Sequence, residues 1–113
     1  ALTPGTEQKV FDTEVGRIAL LICWDMQQPG FVKQTAELGA ELILCPTWGW
    51  EMQYGLKRAT ENNVNIAVAM GVPYKSPIEG VRDPSMLLLR DGNIAEQASR
   101  DKAEALIVEY NKR

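Results

Sequence analysis

The sequence predicts an α/β domain in which a mixed sheet, parallel at its centre and antiparallel near one edge, carries helices on one face. Three observations predict it. Two apolar runs of strand length, residues 17–23 and 41–45, flank a helical pattern, which is the order of a strand–helix–strand crossover. A second helix and strand follow over residues 51–70. Beyond a stretch holding Pro73, Pro77, Gly80 and Pro84, two short apolar segments bracket Asp91-Gly92, which signals a hairpin.

Taken in order, residues 9–12 form a short candidate strand and residues 13–16 a turn. Residues 17–23 read as a strand buried on both faces, which favours parallel pairing. Pro29 suits the first turn of a helix and Gly39 its C-terminal cap, with Phe31, Val32, Thr35, Ala36 and Leu38 as the inner stripe. The next strand, residues 41–45, is apolar after its first residue and should be halted by Pro46. Met52, Leu56, Ala59 and Asn63 then recur at helical spacing, and residues 65–70 return to strand character. Residues 71–84 read as a breaker loop. The hairpin pairs residues 85–89 with 94–97, and residues 105–109 are expected to add a last strand.

The chain has 113 residues, 45% hydrophobic and 24% charged, which suits one folded domain with a single core. A formal charge of −3 offers no footprint for nucleic acid. No apolar run approaches the ~20 residues needed to span a bilayer, and the first ten residues lack a signal-peptide pattern. The expectation is a cytoplasmic protein whose two cysteines, Cys23 and Cys45, stay as thiols.

Histidine is absent, which closes Ser-His and Cys-His mechanisms and His-ligated zinc to this chain acting alone. No metal or cofactor is called for. Chemistry must come from carboxylates, lysines or thiols. Cys23 ends the first buried strand and Cys45 the next, so both should lie at the carboxyl end of a parallel sheet, where open α/β sheets place their ligand crevice. A thiol there can project toward solvent, and the backbone N–H of Trp24 could steady an oxyanion. The alternative is that each cysteine simply acts as a small buried hydrophobe. Trp48, Gly49 and Trp50 follow the second parallel strand and would line the mouth of the crevice, or else the tryptophans cover core. Asp25 reads best as a turn or cap residue.

The run Val15-Gly16-Arg17-Ile18-Ala19-Leu20-Leu21-Ile22-Cys23-Trp24-Asp25 resembles the nucleophile segment of the nitrilase superfamily, the carbon–nitrogen hydrolases. Its surroundings agree: Pro4-Gly5-Thr6-Glu7 before Val10-Phe11-Asp12-Thr13, then Gly39-Ala40-Glu41-Leu42-Ile43-Leu44-Cys45-Pro46, then Arg58-Ala59-Thr60-Glu61-Asn62. Gly80, Ser85 and Asp91-Gly92 fit the late hairpin. The resemblance implies half of an αββα sandwich and a Glu-Lys-Cys triad, with Cys23 as the nucleophile.

The triad glutamate and lysine belong to a part of the family pattern upstream of Ala1; Glu7, Glu14 and Lys9 do not match them. The resemblance therefore implies the C-terminal half of a domain, a nucleophile without its base and inactivity alone. An upstream half supplying Glu and Lys would complete a hydrolase for a small amide, nitrile or carbamoyl substrate. It also implies dimer contacts near the C-terminus and the helix after Cys23, so a homo-oligomer or an upstream-half chain is the expected partner. A noncatalytic dimerisation or partner-binding module is the competing description. An unrelated doubly wound binding domain ranks third.

Overall fold

In a computed structural model, which describes residues 2–3, 5–48, 52–71, 75–76, 80–81, 83–99 and 102–110, the chain begins with a hairpin. Strands β1 (Val10–Thr13) and β2 (Gly16–Leu20) pair antiparallel, with Asp12 opposite Arg17. Gly16 closes the turn at φ +114°, and a Cβ there would meet Glu41 Oε2 at 2.5 Å. Replacing Gly16 by alanine is expected to cost about 2 kcal/mol, because a side chain disfavours that backbone region. A urea midpoint equal to that of the parent would contradict this.

After a 3-10 turn (Cys23–Gln27), helix α1 (Pro29–Glu37) leads to β3 (Leu42–Thr47), which lies parallel to β2 with Leu20 opposite Leu44. Helix α2 (Met52–Asn62) leads to β4 (Asn65–Met70), parallel to β3 over its whole length. Both helices end in the same device. Gly39 at φ +98° directs Gly39 N to Ala36 O and Ala40 N to Thr35 O. Asn63 at φ 52° directs Asn63 N to Thr60 O and Val64 N to Ala59 O. These are left-handed C-terminal caps, for which glycine and asparagine are the suited residues. Asn63 thus ends α2 as an exposed residue rather than extending its inner stripe. In α1 the stripe narrows to Val32 and Thr35, with Phe31 and Leu38 exposed.

Strands β5 (Lys75–Ser76) and β6 (Gly80–Val81) form a separate antiparallel pair inside the expected breaker loop. Strands β7 (Met86–Leu88) and β8 (Ile94–Gln97) make the expected hairpin, and β7 runs antiparallel to β4. Among the described residues, the main sheet has six strands in the order β1-β2-β3-β4-β7-β8, parallel at its centre.

Pro46 does not halt β3; it pairs with Ala69 inside the strand. The reason is direction. Leu44 O accepts the Leu21 N–H, so every second residue of β3 faces β2, and Pro46 is the next of these. The β2 ladder has finished by then, so the missing proline N–H costs no sheet bond. Nor is the run from residue 17 buried on both faces, since Leu20 and Ile22 are 59% and 64% exposed.

The larger core lies on the helix-covered face, where Ala19, Ile43, Cys45, Ile66, Val68 and Leu88 meet Met26, Val32 and Ala59. On the opposite face Leu42, Leu87 and Leu89 are met by Val108 and Tyr110. Those two residues belong to the segment expected to form a last strand. It carries no strand pairing and crosses the sheet as irregular chain. Its anchor is polar: the Asn65 side-chain amide donates to the Tyr110 hydroxyl at 2.9 Å, and Asn65 Oδ1 accepts the Arg90 N–H. A fully buried asparagine is satisfied in this way.

Candidate active site

Parallel pairing of β2, β3 and β4 brings three chain exits to one end of the sheet. There β2 passes into the 3-10 turn that starts at Cys23. Asp25 builds that turn: its Oδ2 accepts the Ile22 N–H at 3.0 Å, while its own N–H donates to Ile22 O at 2.9 Å. The expected cap role of Asp25 is therefore the one the structure shows. Met26 is buried beneath the turn, and the Met26 carbonyl accepts Arg58 Nε at 3.0 Å. Arg58, in α2, is itself buried and holds Glu61 at 2.8 Å through Nη1.

Cys23 is half-buried and has φ 45°. A non-glycine residue in the left-handed region costs free energy, and such residues cluster where function constrains the backbone. It stands two residues beyond the last ladder bond of β2, and not on the strand itself as its sequence position suggests.

Cys45 lies within β3, on the helix-covered face, and is 1% exposed. Its thiol donates a long hydrogen bond to the Pro46 carbonyl at 3.9 Å. Burial pushes the Cys45 thiol up to about 11, and the neighbouring Cys23 and Asp25 add to the rise. The two thiols thus share a place but differ in access.

Trp48, just past β3, is 58% exposed and lies against Gly71 at the end of β4; a Cβ on Gly71 would meet the Trp48 ring at 2.8 Å. It stands at the carboxyl end of the sheet, as does Cys23. Trp24 is 63% exposed. Gly49 and Trp50 lie outside the described residues.

A groove of about 500 Å³ opens beside the turn, with Glu7, Lys9, Phe11, Leu20, Asp25 and Phe31 among its walls. Cys23 is not one of them. Glu7 and Lys9 pair with each other at 3.6 Å in solvent. Among the described residues, no cluster of three or more metal-ligating side chains occurs, and no helix is long and apolar enough to cross a membrane. Sequence reasoning missed the buried contact of Arg58 with the Met26 carbonyl beneath the turn. Arg58 could have been suspected from its place beside Ala59 on the inner stripe.

The mixed sheet with its single helical layer is an α/β fold that carries a thiol at its parallel end. Nit3 of Saccharomyces cerevisiae, a member of branch 10 of the nitrilase superfamily, superimposes with a TM-score of 0.72 at 21% identity, over 90% of this chain and 40% of Nit3. An amidase from Nesterenkonia sp. gives 0.72 at 27% identity, over 89% of this chain and 41% of the amidase. In one structure of the Nesterenkonia amidase, acrylamide has added to the active-site cysteine. The carbon-nitrogen hydrolase model matches residues 1–112, and the chain belongs to that family. "Probable hydrolase YhcX" of Bacillus subtilis is 31% identical over a 75-residue match that covers 60% of this chain and 15% of YhcX. The chain thus spans well under half the length of these relatives.

Proposed function

We propose that Cys23 is the nucleophile of a carbon–nitrogen hydrolase acting on a small amide, nitrile or carbamoyl group, and that this chain does not turn over by itself. The left-handed backbone of Cys23, where the first parallel strand passes into a capped turn, carries the reading. A thiol so placed attacks the carbonyl carbon, the nitrogen leaves, and water cleaves the resulting thioester. The Trp24 N–H lies in the first turn of the 3-10 segment, where amides have no intrahelical acceptor, and it is the candidate oxyanion donor. Trp48, with Gly49 and Trp50, would form the pocket wall.

A base and a cation are needed beside the sulfur. Glu7 and Lys9 pair with each other in a groove that Cys23 does not line. The family's upstream elements, supplying Glu and Lys, are the proposed source. The exposed side chains of Leu20 and Ile22 support this, being apolar surface for those elements to cover.

Ammonia release from small aliphatic amides tests the reading. The purified chain should release none. A complete domain, made by joining the upstream elements of a family member, should release it and lose all of it on Cys23→Ala. Turnover by the chain alone would refute its dependence on those elements, and turnover surviving Cys23→Ala would refute the nucleophile. Size-exclusion chromatography adds a check on the covering layer, since a homodimer of the chain would place a second copy on that surface instead.

A further inference from the structure

The turn that bears Cys23 is fastened by two side chains, one on each side of that residue. On the strand side, Asp25 Oδ2 accepts the Ile22 N–H at 3.0 Å, while the Asp25 N–H donates to Ile22 O at 2.9 Å. On the helix side, Arg58 Nε donates to the Met26 carbonyl at 3.0 Å. Ile22 precedes Cys23 by one residue and Met26 follows it by three. Between these anchors stand Cys23, at φ 45°, and the Trp24 N–H.

A cysteine gains nothing locally from the left-handed region, because its Cβ crowds the backbone there. Such a residue persists where its surroundings fix the chain on both sides. Leu21 N still bonds Leu44 O, so the sheet holds the chain up to the turn, and the turn packs against α1, α2 and β3. Arg58 is a second, independent sign. It is 6% exposed beside the fully buried Ala59, and a guanidinium placed there gives up hydration. Its bond to Glu61 reaches a partly exposed carboxylate, whereas its bond to Met26 is buried and joins α2 to the turn.

We propose that Asp25 and Arg58 are positioning residues that together hold the Cys23 sulfur and the Trp24 N–H in attacking geometry. Their role rests on Cys23 being the nucleophile, and each acts through the backbone of the turn. Asp25 serves as a hydrogen-bond acceptor, so the oxygen matters and the charge does not. Arg58 serves as the donor that fixes the far end of the turn.

Nuclear magnetic resonance of the isotope-labelled chain tests the geometry without any turnover. A residue with positive φ brings its own amide and α protons close together, so Cys23 of the parent should give a strong intraresidue Overhauser peak between them. Asp25→Ala and Arg58→Met should each lose most of that peak, while the amides of β3 and β4 keep their parental shifts. Asp25→Asn, which retains an acceptor oxygen, should restore it. The Asp25 bond is solvent-exposed, so Asp25→Ala leaves the core intact and decides the matter if Arg58→Met does not fold. A parental peak in either folded variant, or no recovery in Asp25→Asn, would overturn the proposal.

In the completed domain, Asp25→Ala should lower kcat roughly 100-fold with KM within about threefold of the parent, because misplacement weakens attack and oxyanion bonding rather than ground-state binding. Asp25→Asn should recover most of the loss. An unchanged kcat in a domain that Cys23→Ala silences would overturn the positioning role and leave the nucleophile standing. Turnover that survives Cys23→Ala would strike the nucleophile and this role with it.

Discussion

Iodoacetamide at neutral pH is expected to alkylate Cys23 in the native chain while Cys45 remains unmodified until the chain unfolds. Thiolate is the reacting form. With its thiol pushed up from 9.0 to about 11, Cys45 holds about 100-fold less thiolate than an ordinary thiol near neutrality, before the barrier of burial is counted. Time-resolved peptide mapping measures the two rates separately. Equal rates for the two residues would overturn the assignment of Cys45 to the enclosed face.

The same shift ties stability to alkaline pH. A thiol whose folded value is raised favours the folded state fully below its unfolded value, and that contribution is lost as pH rises through the folded value. For Cys45 the window runs from about 9 to about 11, because the folded chain resists placing a thiolate in the core and beside the Cys23 and Asp25 charges. The loss should approach about 2 kcal/mol across it. Urea midpoints at several pH values, compared between the parent and Cys45→Ala, isolate this residue from the lysines and tyrosines that also titrate there. A parallel decline in both proteins would refute the linkage.

Removing the guanidinium beneath the turn should have the largest effect on stability. Arg58 is 6% exposed and bonds both the Met26 carbonyl and Glu61. In Arg58→Met the aliphatic stem is largely kept, but the Met26 carbonyl loses its donor, at a cost of about 2 kcal/mol. Arg58→Ala adds a cavity and should cost about 3 kcal/mol or more. Glu61 contributes little to either figure, because its side chain is 38% exposed and can return to water. The turn bearing Cys23 is tied to α2 through Met26, so its amides should exchange faster in both variants than in the parent. Arg58→Lys should recover little, since a compact ammonium lacks the fork that spans both partners. A change below about 0.5 kcal/mol would mean that water replaces the guanidinium at the carbonyl.

Much of this architecture was legible in the residues. Apolar runs of strand length, Pro29 at a helix start, Gly39 at a helix end and Asp91-Gly92 at a hairpin are local signals, and each marked its element to within a few residues. The errors share a cause. Pro46 reads as a stop only until the direction of its missing N–H is known, and that depends on where β2 ends. Asn63 has the spacing of a core residue but the left-handed backbone of a cap. Residues 105–109 have strand composition, yet Val108 and Tyr110 pack onto the sheet's second face without joining its ladder.

The order of the six main-sheet strands and two helices, the parallel centre and the placing of two cysteines toward one end of the sheet were legible in the sequence alone, because periodicity and chain direction suffice for them. Tertiary structure decided what surrounds those cysteines. It brought Arg58 to Met26 across 32 positions and Tyr110 to Asn65 across 45, and it enclosed Cys45 beneath the helices while leaving Cys23 half-buried. Contacts between residues so far apart leave no local pattern, since they arise only when separate elements pack against one another and exclude water from the polar groups between them.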